Sequence, residues 1–166
     1  MSKNPEETLG QLLEQAQTLQ LATLDAGGEP SISYAPFVQD EAGNFYIFVS
    51  GLASHTQEIL HHPQVAVLLI ADEQDARQIF ARTRATYRCV AAVVEREAAV
   101  YPLMLDKMEE RFGNVVGVLR GLGDFVMFRL QPQSGRFVMG FGQAFVLVGE
   151  GLREVQHIGA DQLEKG

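Results

Sequence analysis

The chain has 166 residues, long enough to bury a core and short enough for one domain. Hydrophobic residues make up 46% and charged residues 20%, and no apolar run reaches bilayer-spanning length, so we expect a cytoplasmic protein with no membrane partner. The formal net charge of −8 argues against broad nucleic-acid binding, although a local pocket of arginines can still hold an anion.

Asn4-Pro5-Glu6-Glu7 predicts a helix start, with a cap, a proline at the first helical position and an acidic first turn. Leu9, Leu12, Leu13 and Ala16 then recur at helical spacing. Period two takes over at residues 19–24, and a turn at 25–30 returns the chain through 31–38. A polar turn at 39–44 leads into a third strand at 45–49. Ser54 and Gln57 make a capping-box pattern for a helix over about 56–61, stopped by Pro63. Residues 65–70 are apolar on both faces and read as a fully buried strand, and the charged 72–78 read as a loop.

A strand at 85–95 carries the one cysteine, Cys89. One cysteine allows no intrachain disulfide, fits a reducing compartment, and here reads as a small buried hydrophobe. Helical spacing returns over 97–112, with Pro102 near the start or kinking it, and Gly113 ends it. Strand signals at 124–130 and 136–148 are separated by Pro132-Gln133-Ser134-Gly135, and the polar tail from Gly149 holds an edge strand at 153–158. Six or more strands with few inserted helices predict a mainly β antiparallel barrel in one domain, 1–166.

The stretch at 45–60 turns a strand directly into a capped helix and gathers Ser50, Ser54, His55 and Thr56 at the helix N-terminus. Free N–H groups and the helix dipole favour an anion there, so these residues are candidates for a cofactor-phosphate cradle. The plainer reading makes Ser54 a cap and His55 a surface side chain. Arg82, Arg84 and Arg88 form a basic cluster, with Arg84 and Arg88 on one strand face. They either hold a phosphate or carboxylate or pair with Glu73, Asp75 or Glu95. His61-His62 at a helix end reads as dipole pairing rather than a metal site. Gly140 and Gly142 break the last long strand, either as a bend for barrel closure or where a flat ligand approaches. Asp124 takes a turn role or a polar site role, and His157 lies in the tail.

Several segments in order resemble one family: 21–24 before a glycine turn, then 50–56, 62–69, 81–86 and 135–144. Together they are similar to the pyridoxamine-phosphate-oxidase-like split-barrel superfamily, and within it to the HugZ/HutZ haem-utilisation branch. The resemblance covers residues 8–158 and implies a six-stranded split barrel, a homodimer, and two equivalent sites at the subunit interface. For flavin-binding relatives it implies that Ser50, Ser54, His55, Thr56 and Arg84 hold the FMN phosphate. For haem-degrading relatives it implies haem in the same cleft, Arg84 and Asp124 beside it, an electron donor, and a C-terminal histidine on the iron. Residues 159–166 contain no histidine, which leaves His157 as the substitute ligand. A non-catalytic haem store or carrier is a further reading on the same cleft.

Overall fold

The computed structural model describes residues 4–158. Helix α1 (Pro5–Gln15) starts as its sequence predicts, with the Asn4 side chain accepting from the Glu6 and Glu7 amides at 2.9 and 3.3 Å. Its Leu9, Leu12 and Leu13 bury one face. The chain then forms β1 (Thr18–Leu24), β2 (Pro30–Pro36), β3 (Val38–Gln39), β4 (Phe45–Ser50) and β5 (Gln64–Ile70), with α2 (Ser54–His61) between the last two. It continues through β6 (Arg84–Val94), α3 (Val100–Phe112), α4 (Val115–Arg120), β7 (Phe125–Gly140), β8 (Gln143–Val148) and β9 (Glu154–His157). Every described pairing is antiparallel, in the order β2-β1-β5-β6-β7-β4-β3, with β8 on β7 and β9 on β8.

One ladder organises this sheet. β6 and β7 pair along their whole length, from Arg84↔Val138 to Val94↔Met127. The first half of β6 also pairs with β5, and the first half of β7 pairs with β4. The sheet curls until β2 approaches β4, enclosing Phe37, Phe45, Phe137, Leu19, Leu21 and Leu69. A second core lies outside the curl, where α3 and α4 cover Val38, Tyr46, Val94 and Met127 with Leu105, Met108 and Val116. Period-two alternation serves both cores, since Phe128 faces the first and Met127 the second.

The structure departs from the sequence reading at several points. Nine strands are described rather than six. β7 runs straight through Pro132, because a bulge opposite Arg88/Cys89 leaves Gln133 unpaired and a proline needs no ladder bond there. The predicted strand at 136–148 is two strands, folded at Phe141-Gly142, where Gly142 has φ +68°. β5 buries Val65, Val67 and Leu69 but leaves Ala66, Leu68 and Ile70 half-buried, so it is not enclosed on both faces. Helix α4 was not anticipated; Arg120 ties it to α3 through Asp106 at 2.7 Å and Glu109 at 3.0 Å. Among the described residues no helix is long and apolar enough to cross a membrane.

Gly135 marks the tightest point of the ladder. A Cβ there would lie 2.9 Å from both the Leu147 Cδ1 and the Tyr87 Cδ1 atoms. Gly135→Val is therefore expected to lower the unfolding free energy by about 1–3 kcal/mol. Urea denaturation checks this, and an unchanged midpoint would show that the ladder opens freely to admit the side chain.

Candidate functional site

The strand-to-helix joint closes on Asp124. The Ser50 hydroxyl donates to the Asp124 Oδ2 at 3.1 Å, and the Gly51 amide donates to the Asp124 carbonyl at 2.8 Å. Glycine is required at 51, since a Cβ would stand 2.5 Å from that carbonyl. Arg96 donates to the Gly123 carbonyl at 3.0 Å and fixes the same loop from the other side. Neither Gly51 nor Arg96 stands out in the sequence; their roles depend on contacts with the distant 123–124 loop.

The donors of this joint are turned inward. Thr56 is fully buried and its hydroxyl donates to the Ser50 carbonyl at 2.6 Å. Leu52 donates its amide to the Ser50 hydroxyl at 3.1 Å, and the Gln57 side chain donates to the Gly51 carbonyl at 3.0 Å. The capping box expected of Ser54 and Gln57 does not form: Ala53 is the cap residue, and Ser54 is the exposed first residue of α2. The helix begins earlier because Ser50 and Thr56 close the turn between them. With the Asp124 carboxylate beside it, the joint closes on itself as a clasp through Ser50, Gly51 and Thr56, while the Ser54 hydroxyl and the Ser54 and His55 amides make no hydrogen bond among the described residues.

Behind the clasp, α2 packs on the inner face of β1 and β2. The Glu58 carboxylate accepts from the Thr23 hydroxyl and, at 3.0 Å, from the Ser31 hydroxyl. One helical turn away, the His55 Nε2 is buried without a partner, as is the Ser33 Oγ. Burial holds the His55 pKa below its ordinary value, opposed in part by the nearby Glu58 charge.

The arginines sort themselves by face. Arg82 is the one that finds an acid, with Glu73 at 3.7 Å, and it also donates to the Ala71 carbonyl. Along β6, Ala85, Tyr87, Cys89 and Ala91 are buried while Arg84, Thr86, Arg88 and Val90 look outward. Burial pushes the Cys89 thiol up to about 12, which confirms it as an inert core residue. Arg84 donates to the Arg82 carbonyl at 3.1 Å, and neither Arg84 nor Arg88 has an ion-pair partner among the described residues. Arg136, not singled out from the sequence, joins them on the outer face opposite Thr86.

Within one chain the structure does not unite all of the expected site residues. Arg84 pairs with Val138, whereas Ser50 pairs with Phe125 and clasps Asp124. The two groups lie at opposite ends of the β6–β7 ladder, about 40 Å apart along the strand path. Gly140 and Gly142 shape a hairpin tip whose Phe141 is 69% exposed, not a bend within a strand. His157 lies in the row Ala85–Phe137–Phe145–His157, its ring edge-on to Phe145 at 5.0 Å. That row faces the core, so His157 and Arg84 stand on opposite faces of the sheet. Among the described residues no cluster of His, Cys, Asp and Glu could hold a metal ion, and residues 159–166 lie outside them.

This curled antiparallel sheet with its strand-to-helix joint defines a mainly β, barrel-like class of fold. The pyridoxamine 5′-phosphate oxidase family model matches residues 5–139. The chain is 42% identical over 153 residues to the haem oxygenase HutZ of Vibrio cholerae, covering 92% of this chain and 86% of HutZ. Among solved structures it is similar to HutZ, the haem storage protein from Vibrio cholerae, with a TM-score of 0.78 and 40% identity, covering 84% and 99%. It is also similar to Campylobacter jejuni ChuZ, with a TM-score of 0.83 and 32% identity, covering 96% of this chain and 65% of that one. The chain belongs to the pyridoxamine 5′-phosphate oxidase-like family, in its HugZ/HutZ branch.

The depressed His55 pKa sets a pH dependence. The folded state binds this proton less readily than the unfolded chain, so its contribution is intact above the unfolded pKa of about 6.5. It is lost as pH falls from there through the lower folded value. Wild type should therefore lose more stability between neutral and mildly acidic pH than His55→Gln does. Parallel denaturation profiles for the two would contradict the assignment.

Proposed function

We propose that two copies of this chain form a cytoplasmic homodimer that binds haem in the cleft between them and opens the porphyrin with an external electron donor. The observation that carries this reading is the split site. Arg84 and the Asp124 clasp are both on the surface, yet they lie at opposite ends of one ladder. A two-fold partner brings the clasp of one copy to the Arg84 of the other. The outer face beside Arg84 also needs a cover, since Ile32 is 80% and Tyr34 65% exposed across from half-buried Ala22, Ala66 and Leu68. The likeness to a haem oxygenase and to a haem storage protein supports haem as the ligand.

The outer face fits haem chemically, with an apolar floor for the ring and unpaired guanidinium groups for its carboxylates. Bound haem would supply an O₂-binding iron and is itself the substrate to be opened. Arg84 places N–H donors over the cleft, and its hydrogen bond to the Arg82 carbonyl limits where they point. Asp124 is held by Ser50 and Gly51, so its carboxylate is presented in one orientation and can accept from a donor on the partner copy.

Two alternatives carry their own observations. Haem holding without turnover is favoured by the place of His157, on the face of the sheet opposite to Arg84. Binding of FMN follows from the family, but the inward donors of Thr56 and Ser50 and the Asp124 charge favour haem over a phosphate at the joint.

Titrating the protein with ferric haem should give a Soret shift that saturates at one haem per site, in a particle that light scattering sizes as a dimer. Arg84→Ala should weaken binding by about tenfold or more. His157→Ala should leave the spectrum unchanged, because its ring packs on Phe145. A stable monomer, or protein purified with a flavin spectrum and no response to haem, would falsify this reading.

A further inference from the structure

Arg136 stands on the outer face of β7, beside the arginines of β6. Thr86 pairs with Arg136 and Arg88 pairs with Ser134, so Arg88 and Arg136 are diagonal neighbours on the outer face of the β6–β7 ladder. Such neighbours stand about 7–8 Å apart, and like charges there repel one another. The chain carries 21 acidic residues and a net charge of −8. Even so, among the described residues no carboxylate lies within ion-pair reach of either guanidinium, and neither makes a hydrogen bond. Two unneutralised cations are thus held side by side where the fold could have placed a partner.

Their surroundings form a site. The two side chains line a groove of about 510 Å³, together with the Thr86 and Ser134 hydroxyls and the apolar Ala66 and Val146. The bulge between Arg88 and Cys89 breaks the regular register beneath it, a device that re-aims side chains. Arg84 stands on the same face, about 13 Å from Arg88 along the strand. A planar fork of donors on each arginine matches a carboxylate in bidentate fashion. Two forks at this spacing suit a ligand with two carboxylates on neighbouring arms rather than one compact phosphate.

We propose that Arg88 and Arg136 form a clamp for the two propionates of haem, leaving the ring to extend along the outer face toward Arg84. This rests on the haem reading above and adds to it the orientation of the ligand. The clamp also accounts for the uncompensated charge: the dianion neutralises a repulsion that the apo-protein tolerates. Arg88→Gln and Arg136→Gln should therefore leave the melting temperature unchanged or raise it.

The test compares ferric haem with its dimethyl ester, in which both propionates are masked, against wild type and the two variants. Wild type should bind haem more tightly than the ester. Each variant should lose about tenfold in haem affinity while its affinity for the ester stays put. Equal binding of haem and ester by wild type, or unchanged haem affinity in both variants, overturns the clamp and leaves the haem reading standing. Failure of wild type to bind either compound overturns both. Tighter binding of FMN than of riboflavin, lost in the same variants, assigns the pair to a phosphate and overturns the propionate assignment.

Discussion

The antiparallel ladder between β6 and β7 is the constraint on which the rest of this structure depends. Its eleven register pairs join two subsheets that share no other strand. Because the ladder is long, it must twist, and the twist lets one strand pair serve two cores. Alternation along it then decides chemistry as well as packing. Ala85, Tyr87 and Cys89 go inward, so Arg84, Thr86 and Arg88 are forced outward. An arginine in that strand cannot reach the interior without slipping the register and turning the whole core out.

The same ladder separates the polar groups into two stations. The Asp124 clasp sits where β7 begins, and the arginines sit where it approaches its end. Several hydrogen bonds tie the first station together: Ser50 and Gly51 hold Asp124, and Thr56 holds Ser50. The second station is the opposite, a set of long side chains on an open face without acid partners. A preformed acceptor and a set of uncommitted cations on one surface are complementary halves. That complementarity, rather than a closed pocket in one copy, is what the fold presents.

Much of this was legible in the residues, and the misses share a cause. The Asn4 cap, the alternation of 19–24 and the edge strand near 153–158 are local signals, and local physics decided them. That Arg84 and Arg88 share one face followed from period two, and the burial of Ala85, Tyr87 and Cys89 makes that face the outward one. Ser54 misled because a capping box is a local pattern, whereas the start of α2 is set by Ser50, Thr56 and the distant Asp124. Pro132 read as a strand break, but a bulge across the ladder removed the need for its missing N–H. The glycines at 140 and 142 were recognised as an interruption, and only the pairing of Val138 with Ala144 shows it to be a hairpin. For His157 the face is fixed by Phe145, a neighbour the sequence cannot assign.

In the proposed dimer each site takes Arg84 from one copy and Asp124 from the other. Mixing Arg84→Ala chains with Asp124→Ala chains, after dissociation and reassembly, tests it directly. Random pairing makes half of the dimers mixed, and each mixed dimer carries one site with both residues intact. Haem affinity of the wild-type kind should then return to about a quarter of all sites. Return to none of them would mean that the two residues serve a single copy, and the account of a shared crevice would be wrong.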